Sequence, residues 1–258
     1  MYMLLAMGLI VGSFLNVALY RWPRELSVVA PRSHCPHCGT TLAWYDLIPV
    51  LSYLLLRGHC RYCQVPIARH YLWLELSNAA LWYWVAALEP LGLSYPFSWQ
   101  LCSKLLFTSA LLLIAVIDWE TFIIPDPLNL FIAGLALPGA FLEHTLLWHE
   151  RLRGAAWGGG ILWGIAYIFR RLRHREGIGG GDIKMMFACG LLLGSKKILT
   201  ALTLAPYIAL AMVGLWWLRG SKPNLKQPIP FGPALALSTF IAASYSEELG
   251  QWFWGLLI

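Results

Sequence analysis

Six cysteines and a few acidic residues carry most of the chemistry open to this chain. Four of the cysteines form two C-x-x-C pairs, Cys35-Pro-His-Cys38 and Cys60-Arg-Tyr-Cys63, with 21 residues between them. Each pair sets two thiolates at the tip of a tight turn, and two such turns complete a closed tetrahedral site for zinc. Gly39 and Gly58 suit the sharp backbone. A polar loop of this size cannot build a core in water, so metal binding would drive its folding. Four thiolates saturate the ion, which makes the expected zinc structural. Two disulfides are the alternative, but the loop is expected on the cytoplasmic side, where thiols stay reduced. His34, His37 and His59 flank the cysteines and read as solvent-facing, because the thiolates already fill the site. Cys102 and Cys189 stand alone in apolar runs and read as small buried hydrophobes.

Asp118, Asp126 and Asp182 lie in or beside apolar runs, where a carboxylate is expensive. Asp118 ends the run Leu-Leu-Ile-Ala-Val-Ile117-Asp118, and no Lys or Arg follows it before the next run. Asp182 closes Gly179-Gly180-Gly181-Asp182 and reaches the same membrane edge from the opposite direction. Helix packing would bring the two together. Adjacent carboxylates in a poorly hydrated setting share one proton. The ionised member can then activate water for attack on a peptide carbonyl, while the protonated member hydrogen-bonds the carbonyl oxygen and later assists the leaving amine. Gly179 and Gly181, lacking Cβ atoms, would let a substrate backbone approach. A cap of the following helix explains Asp182 as well as catalysis does on local sequence alone. Asp126 precedes Pro127 and reads as an N-cap. Asp118, at a helix C-terminus, opposes the macrodipole, so a purely structural role suits it less. Lys184 would tune the pair or anchor at the interface, and Lys104 would snorkel or meet an acidic group. Ser13 and Asn16 read as interhelical hydrogen-bond formers, and Glu75 as a partner for a basic residue of the cysteine loop.

These residues need a membrane scaffold to position them. Of 258 residues, 59% are hydrophobic and 12% charged, with 14 Trp, 11 Tyr and 11 Phe. That excess of apolar surface excludes a soluble enzyme, a disordered chain and a secreted disulfide mini-protein. Apolar runs at 1–20, 71–88, 97–117, 127–147, 154–169, 183–194, 198–218 and 229–246 predict an all-α polytopic membrane protein of about eight transmembrane helices. The run at 183–194 is short for a span, and the tail at 251–258 is too short to cross. No basic residue precedes the first run, while Arg21 and Arg24 follow it, the reverse of a signal peptide. With both ends outside, fourteen of the nineteen Lys and Arg fall in inner loops. Four more, Arg151, Arg153, Lys196 and Lys197, fall in outer loops, and Lys104 lies within a span. That bias puts the cysteine loop and both candidate aspartates on the cytoplasmic side. It also accounts for the net charge of +6 without nucleic acid as a partner. The expected organisation is a first helix at 1–21, a zinc-binding module at 22–70 and a transmembrane peptidase domain at 71–258.

The ordered motifs resemble those of the type IV prepilin peptidases, leader peptidases and N-methyltransferases of bacterial pilus and type II secretion systems. Gly12-Ser-Phe-Leu-Asn16-Val, with Tyr20-Arg21-Trp-Pro23, is similar to the family's opening motif. Ser33-His-Cys35-Pro-His-Cys38, Asp46-Leu-Ile-Pro49-Val-Leu-Ser52 and Arg57-Gly-His-Cys60-Arg-Tyr-Cys63 resemble its cytoplasmic zinc loop. Asp118 with Ile124-Pro-Asp126 resembles the first catalytic-aspartate motif, and 179–184 the GxGD motif that carries the second. Pro230-Phe-Gly-Pro233 resembles a C-terminal signature. One departure is Tyr71-Leu72-Trp73, where related chains often have proline after the tyrosine. The resemblance implies a substrate, a prepilin or pseudopilin with a short basic leader, cleaved where its apolar helix begins. It also implies methylation of the new N-terminus from S-adenosylmethionine, in the bacterial inner membrane. No Gly-rich methyl-donor turn is visible in the residues themselves.

Two other readings compete. A presenilin-like intramembrane aspartyl protease shares the GxGD aspartate but lacks the zinc loop. A zinc-stapled transporter or channel would show repeated or broken helices about a midplane site, and the chain shows no such symmetry.

Overall fold

A computed structural model describes residues 2–88, 98–142, 146–173, 177–218 and 229–255. The described residues are mostly helical, with no strand among them. In chain order the helices are α1 (Tyr2–Arg21), α2 (Leu51–Leu55), α3 (Arg69–Leu88), α4 (Trp99–Thr121), α5 (Asp126–Leu142), α6 (Trp148–Arg173), α7 (Gly180–Leu193), α8 (Ser195–Leu218) and α9 (Gly232–Gly255). Each expected apolar run coincides with one long helix, and α2 lies in the polar cysteine segment. Three stretches are long and apolar enough to cross a bilayer, Tyr2–Arg24, Trp99–Thr121 and Ser195–Leu218. They mark a membrane protein. The shortest of the eight long helices, α7, has 14 residues, a length of about 21 Å at 1.5 Å per residue, short of the roughly 30 Å hydrocarbon core.

The chain falls into two compact units, residues 1–109 and 110–258, with the boundary inside α4. In the first, α1 and α3 pack through glycine. A Cβ on Gly8 would stand 2.9 Å from the Ala79 Cα, and one on Gly12 2.7 Å from the Glu75 Cα, so only glycine permits the contact. Polar groups then tie the helices together where no water competes. Asn16 Nδ2 donates to the Tyr71 carbonyl at 3.0 Å and Asn78 Nδ2 to the Gly8 carbonyl at 2.7 Å. The Asn78 Oδ1 accepts from Ser109 Oγ, which accepts from Trp82 Nε1. The interhelical role expected for Asn16 is the one observed.

In the second unit the same device holds α6 against α7. A Cβ on Gly154 would press on Gly190 and Gly194, and one on Gly158 on the Met186 carbonyl. Arg151 and Arg153, expected in an outer loop, instead belong to the start of α6. Arg151 is buried, and its guanidinium donates to the carbonyls of Leu146, Leu191 and Leu192. It thereby satisfies carbonyls that the end of α7 leaves without helical partners. Lys196 and Lys197 likewise sit in the first turn of α8. Beside them Glu150 accepts from Ser195 Oγ at 2.6 Å and Arg153 Nη1 at 2.8 Å. Arg175, Arg219, Lys222 and Lys226, counted on the inner side, lie outside the described residues.

Gly158→Leu should force α6 and α7 apart, with a cost of about 1–3 kcal/mol or more as for other overpacked interfaces. The protein in detergent should then unfold at a clearly lower temperature. An unchanged midpoint would contradict the packing.

Candidate active site

Asp118 lies in the last turn of α4, and Asp182 in the first turn of α7. Both are buried, at 6% and 8% exposure. A buried carboxylate needs donors, and each finds one at a helix start. The Asp118 Oδ2 accepts the backbone N–H of Gly232, first residue of α9, at 2.9 Å. The Asp182 Oδ2 accepts the N–H of Gly179, the N-cap of α7, at 3.2 Å. Asp182 therefore supports its helix from the third position rather than as the N-cap itself. The two carboxylates stand within electrostatic reach of each other. The structure thus brings together the two aspartates singled out from sequence.

Three further contacts set this geometry. Gly181 packs against Ile124, where a Cβ would come within 3.0 Å of the Ile124 Cβ, so the loop after Asp118 lies on the loop before Asp182. A Cβ on Gly179 would meet the Asp182 carboxylate at 3.2 Å. Both glycines expected to admit a substrate are therefore accounted for by internal packing, whereas Gly180 faces open space. Asp126 begins α5, and both its oxygens accept from Lys184 Nζ at 2.8 Å. This pair joins α5 to α7, so Lys184 serves Asp126 directly rather than Asp182.

Gly232 was the residue that sequence reasoning left without a role. A Cβ there would stand 2.6 Å from the Asp118 Oδ2, so glycine is required for its N–H to reach the carboxylate. The available signal was a glycine between Phe231 and Pro233 at the start of an apolar run.

In the first unit the two C-x-x-C turns are near copies. Gly39 N–H donates to the Cys35 carbonyl at 2.9 Å, and Gln64 N–H to the Cys60 carbonyl at 3.0 Å. Cys35 N–H donates to Thr40, and Cys60 N–H to Val65. Gly39 and Gln64 occupy matching left-handed positions, with φ of 70° and 57°. All four Sγ atoms lie within 4.8 Å of one another, and Cys35 and Cys63 Sγ are 3.9 Å apart. A tetrahedron with metal–sulfur bonds of about 2.3 Å has edges of about 3.8 Å, so the donor set fits a metal ion. The hydroxyl and backbone N–H of Thr40 pull the Cys38 thiol down to about 6. The Val65 N–H favours the Cys63 thiolate, but burial and the three neighbouring thiols push Cys63 up to about 11. A cation at the centre is what allows four adjacent thiols to ionise together. Asp46 braces the second turn, accepting from Arg61 Nε at 2.8 Å and the Tyr62 hydroxyl at 3.3 Å.

Glu75 meets no basic residue of this module. Its Oε2 accepts the Val50 N–H at 2.8 Å, and the Ser13 and Asn16 side chains also reach it. Val50 has φ 62° and ψ −51°, with Leu51 N–H donating to the Pro49 carbonyl, a left-handed γ-turn rarely adopted by a β-branched residue. The buried carboxylate holds that strained turn in place. Cys189 is fully buried, as a small hydrophobe would be, and Cys102 is half-buried in α4.

Residues 6–88 match the Bacterial Peptidase A24 N-terminal domain, and residues 105–215 match the Type IV leader peptidase family. The chain belongs to the type IV leader peptidase family. It is 37% identical to the prepilin leader peptidase/N-methyltransferase of Burkholderia pseudomallei (strain 1026b), over 90% of this chain and 81% of that protein. It is 32% identical to the protein of the same name from Aeromonas hydrophila, over 95% of this chain and 91% of the relative. For the Bacillus subtilis (strain 168) protein of that name the identity is 34%, over 94% and 93%. No solved structure matches the chain. Membership of this family sets aside the presenilin-like and transporter readings.

Native mass spectrometry of the purified protein should find one bound divalent metal ion, absent from Cys60→Ser and removed by chelation. Chelation should also open residues 22–70 to protease. An unchanged metal content in Cys60→Ser would refute the four-thiolate site.

Proposed function

We propose that this leader peptidase cleaves the short basic leader from type IV prepilins or type II secretion pseudopilins and then methylates the new N-terminus. The observation that carries the catalytic assignment is the burial of Asp118 and Asp182 within electrostatic reach of each other. Asp118 and Asp182 are the catalytic residues. Two adjacent carboxylates in a dry site hold one proton between them. The ionised one takes a proton from water as it attacks the scissile carbonyl. The protonated one hydrogen-bonds the carbonyl oxygen and then supports departure of the amine. The backbone N–H groups of Gly232 and Gly179 orient the carboxylates at helix N-termini, where partial positive charge stabilises the anion. Gly180 lies beside the pair and leaves room for a substrate backbone.

The eight long helices lie in the bacterial inner membrane, with 22–70 and the aspartates on the cytoplasmic side. Loop charge supports that orientation. A dyad at this edge meets a leader junction while the apolar stem lies among the helices. The metal in the cysteine module is zinc, held by Cys35, Cys38, Cys60 and Cys63. Its role is structural, since four thiolates leave no open position for chemistry. The first helix, this module and the peptidase domain from 71 onward are the working parts. The methyl donor is S-adenosylmethionine, which supplies an electrophilic methyl group to the amine. No strand is present among the described residues to build a dinucleotide-type donor turn, and no residue is assigned to the donor.

The deciding experiment incubates purified protein with a prepilin and labelled S-adenosylmethionine, and reads the product's N-terminus by mass. Asp118→Asn and Asp182→Asn should each lower cleavage by roughly a thousandfold or more while the protein still inserts, as for loss of a general acid or base acting in a pair. Normal cleavage by either variant would remove that residue from the dyad. Gly232→Ala should lower kcat more than it raises KM, because it displaces Asp118 without touching the substrate.

A further inference from the structure

Helix α6 carries two rows of small residues, and among the described residues only one is packed against another helix. Gly154 and Gly158 press on α7 and admit no Cβ. On another face Ala156, Gly160 and Gly164 repeat at the same four-residue interval, and a Cβ on Gly160 or Gly164 would meet nothing within 4 Å. A glycine inside a helix costs about 1 kcal/mol relative to alanine in water, and no contact among the described residues requires either one. Small residues spaced by four serve close backbone approach between membrane helices. Lipid chains need no such row.

Ala156 and Gly160 open onto a groove of about 680 Å³ between α5, α6 and α7, lined also by Asn129, Ala133, Trp163 and Lys184. Asn129 is 6% exposed, yet neither its carboxamide oxygen nor its nitrogen has a partner. An amide buried without partners is destabilising, and here it lines an apolar groove. A helix backbone seated there could supply its bonds. One end of the groove is formed by Ile183 and Lys184, which directly follow Asp182 in α7, and by Asp126. The exposed Asp126 carboxylate and Lys184 ammonium offer both charges at that end.

We infer that this groove seats the apolar helical stem of the substrate, with Gly160 and Asn129 as specificity-determining residues, so that the residues preceding the stem arrive at Asp118 and Asp182. The inference rests on the leader-peptidase reading. Continuity decides among occupants, because a helix in this groove ends beside the dyad. A second copy of this chain would gain nothing from that proximity.

Two substrates test it, a full-length prepilin and a peptide that carries the leader and cleavage junction but lacks the stem. The reported quantity is the ratio of their kcat/KM values in Gly160→Leu and Asn129→Leu relative to the unmodified protein. Each variant should lower the ratio about tenfold, the scale of one interhelical contact, mainly through KM for the stemmed substrate. Asn129→Leu should also unfold no earlier than the unmodified protein, because it removes an unpartnered amide. A structural asparagine would do the opposite. An unchanged ratio overturns the inference, as does a Gly160→Leu effect that tracks loss of a dimer. If the unmodified protein cleaves neither substrate, the leader-peptidase reading fails instead.

Discussion

A buried carboxylate is costly unless hydrogen-bond donors hold it in place. Asp118 and Asp182 meet this constraint in parallel. Each accepts one glycine N–H, Gly232 at the start of α9 and Gly179 at the start of α7. Because the donors are backbone, they add no cation that would tie up either carboxylate. Glycine follows from the same demand, since a Cβ on Gly232 would collide with the carboxylate it holds. The packing of Gly181 on Ile124 and the Asp126–Lys184 pair then set the two loops against each other. The end of α4 and the starts of α5, α7 and α9 contribute to the site, and glycine opens both α7 and α9.

The cysteine module solves its problem by the opposite means. Its polar chain lacks an apolar core, and its order comes from four sulfur atoms and a repeated turn. The equivalence of Gly39 and Gln64 shows how strongly that turn constrains the backbone, since one position tolerates a left-handed residue that is not glycine. Glu75 from α3 reaches Val50 at the edge of this segment, so a membrane helix and a polar loop share a buried hydrogen bond. The loop is thus anchored to the helices of its own unit independently of the thiols.

Sequence made visible whatever depended on local spacing or on cost. The C-x-x-C pairs are local, and their turns form within a few residues. Asp118 and Asp182 stood out because a carboxylate in an apolar run needs a reason. The helices followed from apolar runs, with α7 short in both sequence and structure. The partners were hidden wherever they lie far along the chain. Gly232 meets Asp118 across 114 positions, Lys184 meets Asp126 across 58, and Val50 meets Glu75 across 25. Asp126 illustrates the limit, since its place before Pro127 suggested a cap while the fold pairs it with a lysine. Arg151 illustrates another, because a basic residue between apolar runs suggests a loop, whereas here its guanidinium closes the end of a helix.

Glycine shows why composition alone cannot locate contacts in such a protein. In water, burial marks the inside of a fold, because apolar surface that faces solvent is penalised. In a bilayer the outer face is as apolar as the inner one, and that discrimination disappears. The two small-residue rows of α6 look alike in sequence, Gly154 with Gly158 and Gly160 with Gly164. Only geometry separates them, since a side chain added to the first row collides with α7 and one added to the second meets nothing. A close-approach surface that the chain itself leaves open is a feature that neither hydropathy nor spacing could distinguish from ordinary internal packing.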